Sequence, residues 1–343
     1  MTASYLAAVD SGGTHTNVTI VLPDGKSRPI PELDRSLSGN RPDTELAAVL
    51  DDIFAAVRSV TRDHETALWI SAAGYSHATR DRFERLIRKA SAGFVGSIGI
   101  ANDAVGLMLA HDAQLVLTIA GTGSVAVARQ PSGDVVARGG NEWIVADYGS
   151  AFWIGLAGIR AAYQDLEGGP ETALLHCLTE QYRPLDTSGT AKSPQALVSE
   201  IARALASLGT DTKPTIAAFA PQVTRQAELG DEEAQRIVRS AVDELAAAAA
   251  RVYRELATKA APQQVPPRFL LVGSVAYRSP FYNQAFHASL EQFLFDVREV
   301  GGHTLEYNVQ LNGLQEAISL ARRLAAGENL PVLDEWHPYS VFA

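Results

Sequence analysis

Cysteine is almost absent from the chain: Cys177 is the single one among 343 residues. An intrachain disulfide is therefore impossible, and so is a cluster held by several thiolates of one chain. His176 beside it reads as a chance neighbour, not as half of a metal site. Basic runs are missing too. Lysine and arginine number 29 against 39 acidic residues, for a net charge of −10. Nucleic-acid backbones and anionic membranes are bound by clustered cations, so neither is an expected partner. No window approaches the roughly 18 uninterrupted apolar residues of a membrane span. The first ten residues carry no basic region and end on a carboxylate, Asp10, unlike a signal peptide. A reduced, soluble, cytoplasmic protein is the expectation.

What is present is ordinary globular material. Apolar residues make up 46% and charged residues 20%, and the length suffices for two domains with a sizeable core. Tyr5 to Val9 is a short apolar strand ending in Asp10-Ser11-Gly12-Gly13-Thr14. Thr16 to Leu22 is rich in β-branched residues, and Pro23-Asp24-Gly25 marks a turn. The same grammar returns with Leu115 to Ala120, Gly121-Thr122-Gly123-Ser124, Val125 to Arg129 and Pro131-Ser132-Gly133. In both copies the glycine turn precedes the final glycine by twelve residues, which reads as an internal duplication of a hairpin. Strands are expected at 67–71, 98–101 and 269–272. Helices are expected at 80–89, 150–165, 217–227, 231–256, about 281–294 and about 313–325, with an almost wholly helical stretch from 170 to 262. The tail from Pro331 reads as irregular.

Four segments carry chemistry. Asp-x-Gly-Gly-Thr at 10–14 lets backbone N–H groups approach a phosphate, while Asp10 at a strand end can hold the hydration shell of Mg²⁺. A plain hairpin turn would need only one glycine. Gly121 to Ser124 is a second phosphate loop. Its match to G-x-G-x-x-A fails as a dinucleotide fingerprint, because a strand-like sequence and not a helix follows. Gly25-Lys26-Ser27 fails as a Walker loop, because Ile20 stands where glycine is required. Asn102-Asp103 follows a short strand and opens a helix. Asp103 is either the N-cap or a general base. Gly139 to Trp153 mixes glycines, carboxylates, amides and Trp faces, a composition suited to sugars but also to a capped helix start.

Taken in order, these motifs resemble the actin/hexokinase/Hsp70 ATPase superfamily and, within it, the BadF/BadG/BcrA/BcrD family that includes N-acetylglucosamine kinase and glucosamine kinase-like proteins. Asp10 to Thr16 resembles the first phosphate motif, Gly121 to Ser124 the second, and Leu271 to Val275 the adenosine motif. Asn102-Asp103-Ala104 resembles the stretch bearing the catalytic aspartate. Asp147-x-Gly149-Ser150 resembles the family's Asp-Glu-Gly-Ser motif. The resemblance covers residues 5 to about 325. It implies an α/β fold of two actin-like, ribonuclease H-like ATPase domains with a cleft between them: 1–114 plus 313–343, and 115–312 with a helical insertion at about 170–262. It implies ATP and Mg²⁺ as cofactors and transfer of the γ-phosphoryl group to a sugar C6 hydroxyl. Asp103 would accept the hydroxyl proton and Asp10 would orient hydrated Mg²⁺. Gly12, Gly13, Thr14, Thr16, Gly121, Thr122, Gly123 and Ser124 would cradle phosphates, and Gly273 and Ser274 would border adenosine. Asn40, Asn102, Asp103, Gly140, Asn141, Glu142 and Asp147 would face the sugar.

Two departures bear on the substrate. Kinases of the acetylated amino sugar usually read Gly-Gly-Trp-Gly where this chain has Gly139-Gly140-Asn141-Glu142, and Tyr148 replaces the usual Glu. A glutamate there removes room for an acetyl group and offers a negative charge to the ammonium of free glucosamine. Glucosamine is therefore the expected substrate and N-acetylglucosamine the alternative. Rival readings are an iron–sulfur dehydratase activator, which a single cysteine disfavours, a non-catalytic ATP/sugar sensor, and an actin-like filament protein. The sequence leaves monomer and homodimer both open.

Overall fold

The computed structural model describes residues 5–13, 15–111, 115–130, 132–141, 143–183, 193–259, 268–295, 305–306, 313–330 and 339–342. The chain divides into two compact units, one of residues 1–115, 129–135 and 311–343, the other of 116–128 and 136–310.

The first unit opens with β1 (Tyr5–Ser11), β2 (Thr16–Val21) and β3 (Ser27–Pro29). Then come α1 (Asp43–Thr61), β4 (Thr66–Ala72), α2 (Arg80–Ala90), β5 (Gly96–Ala101) and α3 (Asp103–Ala110). The hairpin β1–β2 is antiparallel, whereas β1, β4 and β5 run parallel to one another. Every residue of β4 is buried, as a central strand covered on both faces requires. Helix α1, which the sequence reading passed over, packs Leu46, Val49, Leu50, Ile53, Phe54 and Val57 inward at helical spacing. On β4, Trp69 is fully buried beside Gly99 of β5, where a Cβ would come within 2.3 Å of its ring.

The second unit contains β6 (Leu115–Ala120), β7 (Ser124–Arg129) and β8 (Val135–Gly139), apart from Leu115, Arg129 and Val135, which fall in the first, followed by α4 (Ala151–Leu166). The helical stretch contributes α5 (Leu174–Tyr182), α6 (Pro194–Ala206), α7 (Thr212–Ala217), α8 (Ala220–Glu228) and α9 (Glu232–Lys259). After it come β9 (Arg268–Val272), α10 (Ser274–Arg278), α11 (Pro280–Leu294) and β10 (Leu305–Glu306). Its sheet has the order β10-β9-β6-β7-β8. The helix expected from 217 begins at Ala220, because Pro221 suits a first turn but not a helix interior.

The duplication seen in the sequence is present in the hydrogen bonds. In the first hairpin the Gly25 N–H donates to Leu22 O (2.8 Å) and the Leu22 N–H to Lys26 O (2.9 Å). In the second, Gly133 N–H donates to Gln130 O (3.0 Å) and Gln130 N–H to Asp134 O (2.7 Å). Gly25 and Gly133 both have left-handed φ, which glycine adopts without strain.

The chain then returns to the first unit with α12 (Gly313–Ala325), packed on β1, β4 and α3, and β11 (Tyr339–Phe342). The first sheet thereby reaches the order β11-β5-β4-β1-β2-β3. The tail expected to be irregular thus supplies a strand, antiparallel to β5, with Ser340 and Phe342 buried. Four residues are too short to show a period; the open edge of β5 provides the partner that makes them a strand.

Candidate functional site

In the first unit the carboxyl ends of three parallel strands meet, the edge where ligands of open α/β sheets bind. The strand register sets Asp10 of β1 beside Ser71 of β4, and Ser71 beside Ala101 of β5. The chain leaves β5 through Asn102 and Asp103. Asn102 is the N-cap of α3, its Oδ1 accepting from the Ala104 N–H (3.0 Å), while its Nδ2 donates to Ala73 O (3.3 Å). Capping is therefore the work of Asn102. Asp103 sits one residue further on, its Oδ1 also accepting from the Ala104 N–H (2.9 Å).

The two carboxylates feel each other and the absence of water. Burial pushes Asp10 up to about 6, and the negative charge of Asp103 adds to the rise. Burial also raises Asp103, partly offset by its backbone N–H partners. Gly313, the first residue of α12, lies over Asp10: a Cβ there would come 2.6 Å from Asp10 Oδ2. Neither Ser71 nor Gly313 was picked out from the sequence. A lone serine or glycine carries no motif, and the strand register that brings them beside Asp10 is a tertiary fact.

The first glycine turn is braced from below. Ser11 Oγ and Thr16 Oγ1 lie 2.8 Å apart, Thr16 Oγ1 donates to Arg35 O (2.7 Å), and the Leu37 N–H donates to Ser11 Oγ (2.7 Å). Thr16, expected to touch phosphate, is fully buried with its hydroxyl spent on this brace. It shapes the turn and offers no free donor. A Cβ on Gly12 would meet nothing within 4 Å, so open space borders that backbone. Gly13 O accepts from Ser36 Oγ (3.0 Å). Thr14 lies outside the described residues. Exposed Asn40 follows Leu37, whose carbonyl accepts from the Gly74 N–H (3.0 Å), and this seats its loop near the same edge.

In the second unit the turn Gly121–Gly123 is fastened to the start of α4. Ala151 N–H donates to Gly121 O (2.8 Å) and Phe152 N–H to Thr122 O (3.3 Å). Ser150 caps that helix, accepting from the Trp153 N–H (3.2 Å). A Cβ on Gly121 would meet only Gly123 O, at 3.8 Å, so the face of the turn is open to a ligand. Gly273, at φ +108°, crosses the end of β6 so closely that a Cβ would lie 2.4 Å from Ala120 O. That contact sets the exposed Ser274, at the start of α10, beyond the same strand ends.

Two expected ligands turn out to be structural here. Ser124 is buried; its N–H donates to Asp147 Oδ1 (3.0 Å) and its hydroxyl to Tyr148 O (2.7 Å). Asp147, expected to face sugar, is buried under the turn with a left-handed φ of +65°, and Lys213 Nζ stands 2.8 Å from its Oδ2. Lys213 gave no sequence signal, because it lies in the helical stretch far from any motif. Gly140 packs on β7, its N–H donating to Ser124 O (2.9 Å), and Asn141 is exposed. Glu142 lies outside the described residues.

The donor set suits a hydrated Mg²⁺. Asp10 offers hard oxygen, and the repulsion it feels from Asp103 is the kind a divalent cation relieves. Among the described residues no group of three or more His, Cys, Asp or Glu converges on a point, so water and phosphate oxygens would complete the shell. Open space borders the backbone at Gly12 in the first unit and at Gly121 in the second, where the Gly121 N–H itself donates to Gly123 O (3.0 Å).

Comparison with known proteins agrees in kind. The family model of the BadF/BadG/BcrA/BcrD ATPases matches residues 8–298. The N-acetylmuramic acid/N-acetylglucosamine kinase of Clostridium acetobutylicum is 29% identical over 251 residues, covering 70% of this chain and 76% of that one. A crystal structure of a candidate N-acetylglucosamine kinase from Chromobacterium violaceum shares the fold with a TM-score of 0.60 at 20% identity, over 94% of this chain and 100% of that one. A ROK-family glucokinase from Streptomyces griseus, crystallised with glucose and AMPPNP, does so with a TM-score of 0.54 at 15% identity, over 93% and 100%.

Proposed function

The chain belongs to the BadF/BadG/BcrA/BcrD ATPase family, and from that premise we propose that it is an ATP-dependent amino-sugar kinase. Its reaction would transfer the γ-phosphoryl group to the C6 hydroxyl of glucosamine, giving glucosamine 6-phosphate and ADP. The observation that carries the reading is Asp103, a half-buried carboxylate of raised basicity beside Asp10, with the capping role taken by Asn102.

Phosphoryl transfer asks a protein mainly for positioning and charge stabilisation. Asp103 accepts the proton of the attacking hydroxyl, and its elevated pKa makes it a better base once ionised. Asp10 orients hydrated Mg²⁺, which when bound neutralises charge on the phosphates. Backbone N–H groups of the two glycine turns, other than those of Gly121 and Ser124, which are bonded within the protein, would meet phosphate oxygens, with Gly273 and Ser274 on the adenosine side. Asn40 and Asn102 hold sugar hydroxyls.

Support for glucosamine in particular comes from the sequence at Glu142. A carboxylate 4 Å from an ammonium contributes up to about 4 kcal/mol at an effective dielectric of 20, before desolvation losses. The second reading, N-acetylglucosamine as substrate, is favoured by the name of the Clostridium acetobutylicum relative.

A coupled ADP-release assay over glucosamine, N-acetylglucosamine and glucose decides between them. The highest kcat/KM is expected for glucosamine, and Glu142→Gln should lower it for glucosamine more than for glucose. Equal or better use of the acetylated sugar makes the second reading the correct one.

A further inference from the structure

The ion pair between Asp147 and Lys213 belongs to no step described so far, and it lies directly beneath the second glycine turn. We infer that Lys213 is a positioning residue for the nucleotide. Acting through Asp147, it holds the Gly121–Ser124 turn in its binding shape and cancels the carboxylate charge under the phosphates. The inference rests on the nucleotide-binding part of the proposed function.

The argument starts at Asp147. A non-glycine residue at a φ of +65° persists only where its surroundings over-determine it. Here the demand comes from the turn. Asp147 Oδ1 accepts from the Ser124 N–H (3.0 Å), and a Cβ on Gly123 would come 2.9 Å from that same oxygen. Glycine at 123 thus exists to let the carboxylate in. An ionised carboxylate so placed, 3% exposed, would repel any phosphate on the other side of the turn, since little water screens it. The Lys213 ammonium at 2.8 Å, itself 23% exposed, removes that repulsion.

Lys213 reaches this point from α7, and α7 is seated by a specific close contact. A Cβ on Gly155 of α4 would lie 2.1 Å from Ile216 O of α7, so only glycine lets the two backbones approach. The first residues of α4 are those that bond Gly121 O and Thr122 O. The turn is therefore held from two directions, by the start of α4 and by a lysine carried on the helix that docks on α4. On this account the helical stretch sets nucleotide affinity and leaves sugar affinity alone.

The test uses the full chain and ADP with Mg²⁺ as the probe, measured by calorimetry without sugar, beside steady-state KM values for ATP and sugar. Lys213→Met is expected to weaken ADP binding and raise the KM for ATP by about tenfold or more, while the sugar KM moves less than about twofold. Lys213→Arg should keep ADP affinity within about threefold of wild type, because charge and reach are retained. Lys213→Gln keeps a hydrogen-bond donor without the charge; should Lys213→Met fail to fold, Gln carries the test, with the same tenfold loss expected. Wild-type ADP affinity in a folded Lys213→Met or Lys213→Gln protein, or a change confined to the sugar KM, overturns the inference. A chain that binds ADP with this dependence on Lys213 yet phosphorylates no sugar contradicts the proposed function and leaves the inference standing. A wild-type chain that binds no ADP overturns both.

Discussion

Asp10 and Asp103 share one edge of one sheet, and their ionisation is linked. In the folded chain Asp10 holds its proton up to about 6, against an ordinary value of 3.8. The fold therefore binds that proton more tightly than the unfolded chain does. The stability this confers is complete below pH 3.8 and is lost as pH rises through 6. Above that, ionised Asp10 costs the fold roughly 3 kcal/mol. Asp10→Asn should accordingly raise the melting temperature at pH 7.5, by a margin that shrinks on acidification and vanishes near pH 4, while phosphoryl transfer is lost. A melting temperature equally affected at both ends of that range would remove Asp10 as the titrating group. Asp103→Asn should lower kcat about 10²- to 10⁴-fold, the usual contribution of a positioned base, with ATP affinity retained; ADP release and nucleotide titration on one preparation check both. The placement of Asp10, Asn102 and Asp103 at one sheet edge was legible in the sequence because each ends a strand or opens a helix beside a glycine or a cap. Thr16, Ser124 and Asp147 are expected to meet ligand, and the structure shows their polar atoms bonded within the protein, for one shared reason. Polar side chains next to glycine turns serve the turn as readily as a ligand, and only burial and hydrogen-bond partners tell the two apart.

At the scale of elements, glycines decide where backbones may touch. Gly99 admits Trp69 between β4 and β5, Gly155 admits α7 onto α4, and Gly273 crosses Ala120. Gly273→Ala combines an unfavourable φ with a Cβ 2.4 Å from a backbone oxygen. It should lose on the order of 3 kcal/mol, read from chemical denaturation, and weaken nucleotide binding with it. Denaturation indistinguishable from wild type would show that β9 and β6 can part there without consequence. Strands and helices with a strong period or a glycine boundary were visible in advance: the hairpins, α4, α9 and α12 lie where the pattern put them. β11 was not visible, since a four-residue strand exists through its partner and not through its own periodicity. The amphipathic spacing of α1 was present in the sequence; it fell between motifs and was passed over.

At the scale of the whole molecule, one duplicated hairpin serves two sheets, each presenting an open glycine backbone. Among the described residues no helix is long and apolar enough to cross a membrane. Family membership was readable from residues alone, because the glycine turns, Asn102-Asp103 and Asp147-x-Gly149-Ser150 stand in the order on which the resemblance rests. The proposed choice of glucosamine rests on one side chain, Glu142, outside the described residues. Mass action supplies a test that needs no sugar: ADP at about a hundred times its Kd should stabilise the chain by about 2.7 kcal/mol, visible as a rise in melting temperature. No rise would deny the nucleotide site.

The most direct test of the central claim is product analysis by phosphorus–proton NMR after incubating wild type and Asp103→Asn with ATP, Mg²⁺ and glucosamine. The wild type should yield one phosphorylated sugar, with coupling of phosphorus to the C6 protons, and the variant next to none. Inorganic phosphate alone from the wild type, phosphate on another hydroxyl, or undiminished product from a folded Asp103→Asn protein would contradict the account.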